Sequence, residues 1–193
     1  MKVVKHEIQP PIRSQRKKEL YKLLVARSDI TASLEACKLM LKHVDGIGNK
    51  LYYPLYAAIV VCYARPFTKN RPYGSLPKRW SQFDSEPMKR THNKLIKARH
   101  ELIAHSDMTI REAMIVPPNV AMGAKDGKNL KSPEIGVQTT MYYYPLDFFK
   151  NVHKTAHDLG SRLNTEIDKV VEELYGGMEL PNAAFKIRID EGL

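Results

Sequence analysis

The chain has 193 residues, with 31 Lys and Arg against 21 Asp and Glu, a net charge of +10 with histidine neutral. Hydrophobic residues make up 43% and charged residues 27%, which excludes a disordered tail and fits one folded domain over residues 1–193. Two cysteines, Cys37 and Cys62, exclude a disulfide framework and a thiolate metal site.

The N-terminus has no apolar core of the kind a signal peptide needs. The longest apolar stretch, from Tyr52 to Ala64, is too short to span a bilayer. A cytoplasmic protein with no membrane contact is the expectation. A basic balance favours polyanionic partners, provided the charge is concentrated in one place.

In chain order, residues 14–44 read as one long helix. Leu20, Leu23, Leu24, Arg27, Ile30, Leu34, Cys37, Leu41 and Val44 recur at three- and four-residue steps. Ser14 is its expected N-cap, and Gly46 or Gly48 its expected left-handed stop. A second helix, about 49–65, is apolar on nearly every side and is expected at the centre of the core. Residues 66–87 carry four prolines and Gly74 and read as a long loop. A third helix spans about 87–105. Segments 109–116 and 135–142 are β-like and read as a hairpin, an insertion over 109–142. The fourth helix runs from Leu146 to Tyr175 and stops at Gly176-Gly177. The tail alternates over 185–190 and is expected to add a strand to the hairpin. Four long helices with a small β element predict a mainly α fold, an antiparallel four-helix bundle.

The third helix is the informative one. With Leu95 at 0° the apolar face centres near 20°, and Arg99 falls at about 40° and His92 at about 60°, both inside that face. An arginine there pairs with a buried carboxylate, lines a cleft or meets a second subunit, because an unpaired buried guanidinium is too costly. His92 reads as a core histidine. Residues 65–99 hold ten Lys and Arg against Asp84 and Glu86, a net +8 within the chain's +10. Tyr63, Phe67, Tyr73, Trp80 and Phe83 are interleaved with them. Basic residues track phosphates and aromatic faces stack unpaired bases, which makes Arg65, Lys69, Arg71, Lys78, Arg79, Trp80 and Arg90 candidate RNA-binding residues. The plainer reading is a solvated loop whose aromatics pin it to the helices. His153 and His157 sit four apart on the fourth helix, a spacing that can grip a metal, but no third ligand is evident. No metal or cofactor is expected. Tyr142-Tyr143-Tyr144 reads as a cover over one end of the helices, with base stacking as the alternative.

The run Arg99-His100-Glu101-Leu102-Ile103-Ala104-His105 resembles the motif of the HEPN domain family, an Arg, a polar residue, a short spacer and a His. The resemblance covers the helical part of the chain, not the hairpin or tail. It implies a HEPN-like bundle and a metal-independent RNA endonuclease working in a cleft between two protomers. Such domains serve toxin–antitoxin, phage-defence and RNA-processing systems, so the implied partners are RNA, a second copy and an antitoxin. In that reading His105 is the general acid/base, Arg99 binds the scissile phosphate and His100 orients or contacts the backbone. Other members are inactive and bind RNA, nucleotides or partner proteins, which is the alternative.

Overall fold

The computed structural model describes residues 10–46, 48–68, 74–100, 111–125, 128–131, 133–141 and 144–187. Its elements in chain order are α1 (Pro10–His43), α2 (Tyr52–Ala64), α3 (Glu86–Arg99), β1 (Arg111–Val116), β2 (Ala121–Lys125), β3 (Lys128–Lys131), β4 (Gly136–Met141) and α4 (Leu146–Tyr175). Short 3₁₀ turns lie at Arg65–Phe67 and Lys78–Ser81. The chain is mainly helical, with small antiparallel strand pairs.

α1 begins at Pro10 rather than at Ser14. Proline costs nothing in a first turn, whose N–H groups have no intrahelical partner. Its buried line is Leu20, Leu23, Ala26, Ile30, Ser33, Cys37, Met40 and Val44. Arg27 and Leu41 are exposed instead, and Ala26, Ser33 and Met40 take up the inward positions. The stop is also different from expectation. Neither Gly46 nor Gly48 has positive φ. The Asn49 side chain donates to the His43 carbonyl (3.1 Å) and the Asp45 carboxylate (3.0 Å) and accepts from the Leu51 N–H (2.9 Å). One amide side chain thus closes α1 and opens α2, which is turn chemistry characteristic of asparagine.

α1 packs against α2 and α4, and α3 packs against α2 and α4. Paired contacts give the directions. Arg16 near the start of α1 bonds Glu173 near the end of α4, while Cys37 near the end of α1 donates to the Phe149 carbonyl near the start of α4. These two helices are therefore antiparallel. Ser33 donates to the Ile59 carbonyl (3.0 Å), joining the middle of α1 to the middle of α2.

α4 matches its expected bounds. It supplies the largest share of the core through Phe149, Val152, Ala156, Leu159, Leu163, Ile167, Val170 and Leu174. Gly177 follows it at φ +70°. α2 is the most enclosed helix, as its sequence leads one to expect. Tyr52, Tyr56, Ile59, Val60, Tyr63 and Ala64 are buried, but Tyr53 and Pro54 are exposed. Its sequence has no polar face to reveal which side looks outward.

β1 and β4 pair antiparallel, with Arg111 opposite Met141 and Val116 opposite Gly136. The link between them is itself folded, β2 pairing antiparallel with β3. Its Gly/Lys/Asn-rich composition gave no strand signal. Ile115 and Val137 are cross-strand partners and stay 68% and 78% exposed. The tail does not join this sheet over its described residues. Residues 184–187 are in no strand, and the Phe185 ring meets the Tyr175 ring edge-on at 5.8 Å.

Candidate functional site

The predicted site falls at the C-terminal end of α3. Ser85 caps the start of this helix, its hydroxyl accepting from the Met88 N–H, with Glu86 and Pro87 in the first turn. Thr91, His92, Leu95 and Ala98 face inward. Arg99 is the last residue of α3 and is half-buried, beside Ala98 and one turn after Leu95. No carboxylate among the described residues forms an ion pair with it. The buried ion pair that could have explained this arginine therefore has no partner among those residues. His100 is the exposed C-cap, its backbone N–H donating to the Ile96 and Lys97 carbonyls. His105, with all of 101–110, lies outside the described residues, so the structure places Arg99 and His100 together and does not place the third member.

Lys89, Arg90, Asn93, Lys94 and Lys97 are exposed along the outer side of α3. The Lys94 ammonium lies 5.9 Å from the Tyr144 ring centre and 5.8 Å from that of Phe148, which stack on each other at 4.2 Å. Tyr144 is held from behind. The Tyr52 hydroxyl donates to its carbonyl (2.6 Å) and accepts from its N–H (3.0 Å). This fixes an aromatic step close to the helix end, where Tyr144 covers the edge of Tyr56. Tyr142 and Tyr143 lie outside the described residues.

The basic run of 65–99 does not converge on Arg99. Arg65 pairs with Asp29 at 2.7 Å. Burial pushes the Asp29 carboxyl above its ordinary value, with the Arg65 guanidinium pulling the other way. Arg79 reaches Glu19 on α1 and Glu166 on α4, each at 3.3 Å. Trp80 is buried, and the Arg79 and Arg162 guanidinium groups sit 5.7 and 5.6 Å from its ring centre. Such a ring has no face to offer a nucleobase, so Trp80 is a packing residue here. Lys78 and Arg90 are exposed, and Lys69 and Arg71 lie outside the described residues. The Lys78–Ser81 turn precedes α3 and Arg99 ends it, and 14 helical residues separate them by about 21 Å.

The segment 74–83 is thus a strap across α1 and α4, and sequence reasoning missed its main fastener. Arg162 on α4 donates to the carbonyls of Gln82 (2.8 Å) and Arg79 (3.0 Å) and lies over Phe83 as well as Trp80. Nothing in the local pattern of α4 marks this arginine out. Arg162→Ala should cost about 1.5–3 kcal/mol, the range for lost hydrogen bonds that involve a charged group. Trp80 is the only tryptophan, so its fluorescence maximum should move to the red as the strap loosens, while helical circular dichroism stays unchanged.

The remaining candidates are structural. His92 is buried among Tyr63, Phe67 and Phe83, its Nδ1 3.1 Å from the Tyr63 hydroxyl, and burial pushes the imidazole down to about 4. Burial likewise pushes the Cys37 thiol up to about 12 and raises that of Cys62, so neither is an activated thiolate. The His153 and His157 rings lie 6.4 Å apart and nearly parallel, and no set of three metal-ligating side chains occurs among the described residues. No described helix is long and apolar enough to cross a membrane. No protein-family model, curated protein or solved structure matches the chain.

Proposed function

We propose that the chain is a metal-independent endoribonuclease of HEPN type, a four-helix bundle acting on RNA at the C-terminal end of α3. The observation that carries this reading is Arg99, half-buried at the helix end without a carboxylate partner among the described residues. A guanidinium in that state is matched to a phosphate, which it grips through two parallel N–H donors. His100 beside it and the exposed lysines and arginine along α3 support a polyanion as the ligand.

RNA supplies its own nucleophile. A histidine takes the 2′-hydroxyl proton, the 2′-oxygen attacks phosphorus, and the bond to the 5′-oxygen breaks as that oxygen gains a proton. The products end in a 2′,3′-cyclic phosphate and a free 5′-hydroxyl. Arg99 stabilises the charge that grows on the phosphoryl oxygens. The resemblance assigns the proton transfers to His105, with two protomers pairing so that both helix ends share one cleft. A toxin or defence role, with an antitoxin to restrain it, belongs to the same reading. A non-catalytic protein that binds RNA or a nucleotide at this surface is the second reading, favoured by the exposed basic side of α3, which needs no histidine to bind.

Incubation of the full chain with total RNA separates them. Cleavage should persist in EDTA and fall about a hundredfold in either Arg99→Ala or His105→Ala, the scale for removing a charge-stabilising donor or a general acid/base. Equal cleavage by either variant would overturn the site. Binding without cleavage, lost in Arg99→Ala, would select the second reading.

A further inference from the structure

α1 carries a second line of residues on the side opposite its buried one. Tyr21, Val25, Ser28, Ala32, Glu35 and Leu39 follow one another at alternating four- and three-residue steps, the spacing of the core positions of a heptad. All six are exposed, and the large ones strongly so: Tyr21 38%, Val25 44% and Leu39 47%. A helix packed on a core normally turns its polar residues outward, so an apolar outer line marks a contact surface.

The middle of the line is small, Ser28 and Ala32, which lets another helix approach closely, with Tyr21 and Val25 at one end and Leu39 at the other. Its borders are basic. Lys17, Lys18, Lys38 and Lys42 flank or extend it, while Lys22 is half-buried and donates to the Ser75 carbonyl. The only acid on it, Glu35, is already engaged by Lys38 at 2.7 Å. We propose that this outer face of α1 docks an acidic amphipathic helix from a partner protein, its apolar side on the Tyr21–Leu39 line and its carboxylates over the bordering lysines.

Charge selects this occupant. A second copy laid antiparallel would match Tyr21 with Leu39 and Ser28 with Ala32, but would set Lys18 against Lys42. Laid parallel, Lys18 and Lys42 would each face its own equivalent. Like charges at those positions reject self-pairing and attract an acidic helix. The surface lies on α1, while Arg99 lies on α3, which packs on α2 and α4. The docked helix therefore leaves the proposed RNA site open, and the two can be tested separately.

The probe is a fluorescently labelled synthetic helical peptide with leucine at the core positions of each heptad and glutamate at the flanking ones. Its own like charges keep it from self-associating. Anisotropy should show saturable binding to the full chain and none for the same peptide with lysine at the flanking positions. Val25→Asp, Leu39→Asp and the double change Lys18→Glu with Lys42→Glu should each weaken binding roughly tenfold or more, the cost of losing a central contact or reversing complementary charge. These positions are exposed, so circular dichroism should be unaltered. Equal binding of the lysine peptide, or binding undiminished in these variants, overturns the proposal. So does a wild-type dimer that Val25→Asp converts to monomer, which would make a second copy the occupant. Attachment to anionic phospholipid vesicles through the same residues, with no peptide binding, would make it a lipid surface.

Discussion

Phe149→Ala should destabilise the fold by about 3–5 kcal/mol, measured by urea unfolding at neutral pH. Phe149 has no exposed surface and sits where α1, α2 and α4 meet. Its ring meets those of Tyr52, Tyr56 and Phe148 edge-on at 5.9, 6.2 and 5.6 Å, and its carbonyl receives the Cys37 thiol. Alanine would leave the backbone bond and remove the ring, so the loss is a cavity faced by three aromatic side chains. Such rings cannot collapse inward without giving up their own edge-on contacts. Against a total stability of about 5–15 kcal/mol typical of a domain, this one change takes a large part. Ile115→Ala, on the exposed face of the hairpin, is the control and should shift stability by less than about 0.5 kcal/mol. A Phe149→Ala protein as stable as wild type would mean that the three helices do not meet there.

Acid should weaken the protein well before its carboxylates titrate. His92 is held neutral in its box of Tyr63, Phe67 and Phe83, at about 4 against an ordinary 6.5. The unfolded chain therefore binds a proton that the folded chain refuses between those values. Stability from this residue is complete above about pH 6.5 and is lost as pH falls toward 4, by up to about 3 kcal/mol. The Asp29 carboxyl, raised by burial, acts with the opposite sign and only lower on the scale, as pH passes the carboxylate range. Denaturant midpoints at pH 7.5, 5.5 and 4.5 should therefore fall steadily in the wild type. The decline should flatten in His92→Leu, which fills the same box and cannot be protonated. An unchanged decline in that variant would assign the acid sensitivity to another group.

What the sequence disclosed depended on the range of the interaction. α4 could be bounded closely because eight inward positions repeat along it and two glycines stop it. The inward phase of Leu95 and Ala98, and so the half-buried place of Arg99, followed from a single helical repeat. The fate of the basic run did not. Arg65 finds Asp29 across 36 positions, and Arg79 finds Glu19 and Glu166 across 60 and 87. A tally of charge along the chain cannot see such pairs, and it counted as free positive charge what the fold neutralises. The same holds for Trp80, which reads as an exposed stacking ring until Arg162 is brought over it. The depth of α2 was legible because no side of it is polar, and for the same reason its outward side was not.

The pairing of Arg111 with Met141 has a consequence for how the molecule can change. Those two residues are the first and last of the hairpin and stand directly opposite each other, about 5 Å apart at their Cα atoms. Everything between them leaves and returns at nearly one point. The strands touch one another far more than they touch the helices. The arm is thus a module on a single stalk. It can be trimmed, lengthened or exchanged for a tight turn with the helices left in register, so descent could vary it freely while holding the helical body constant.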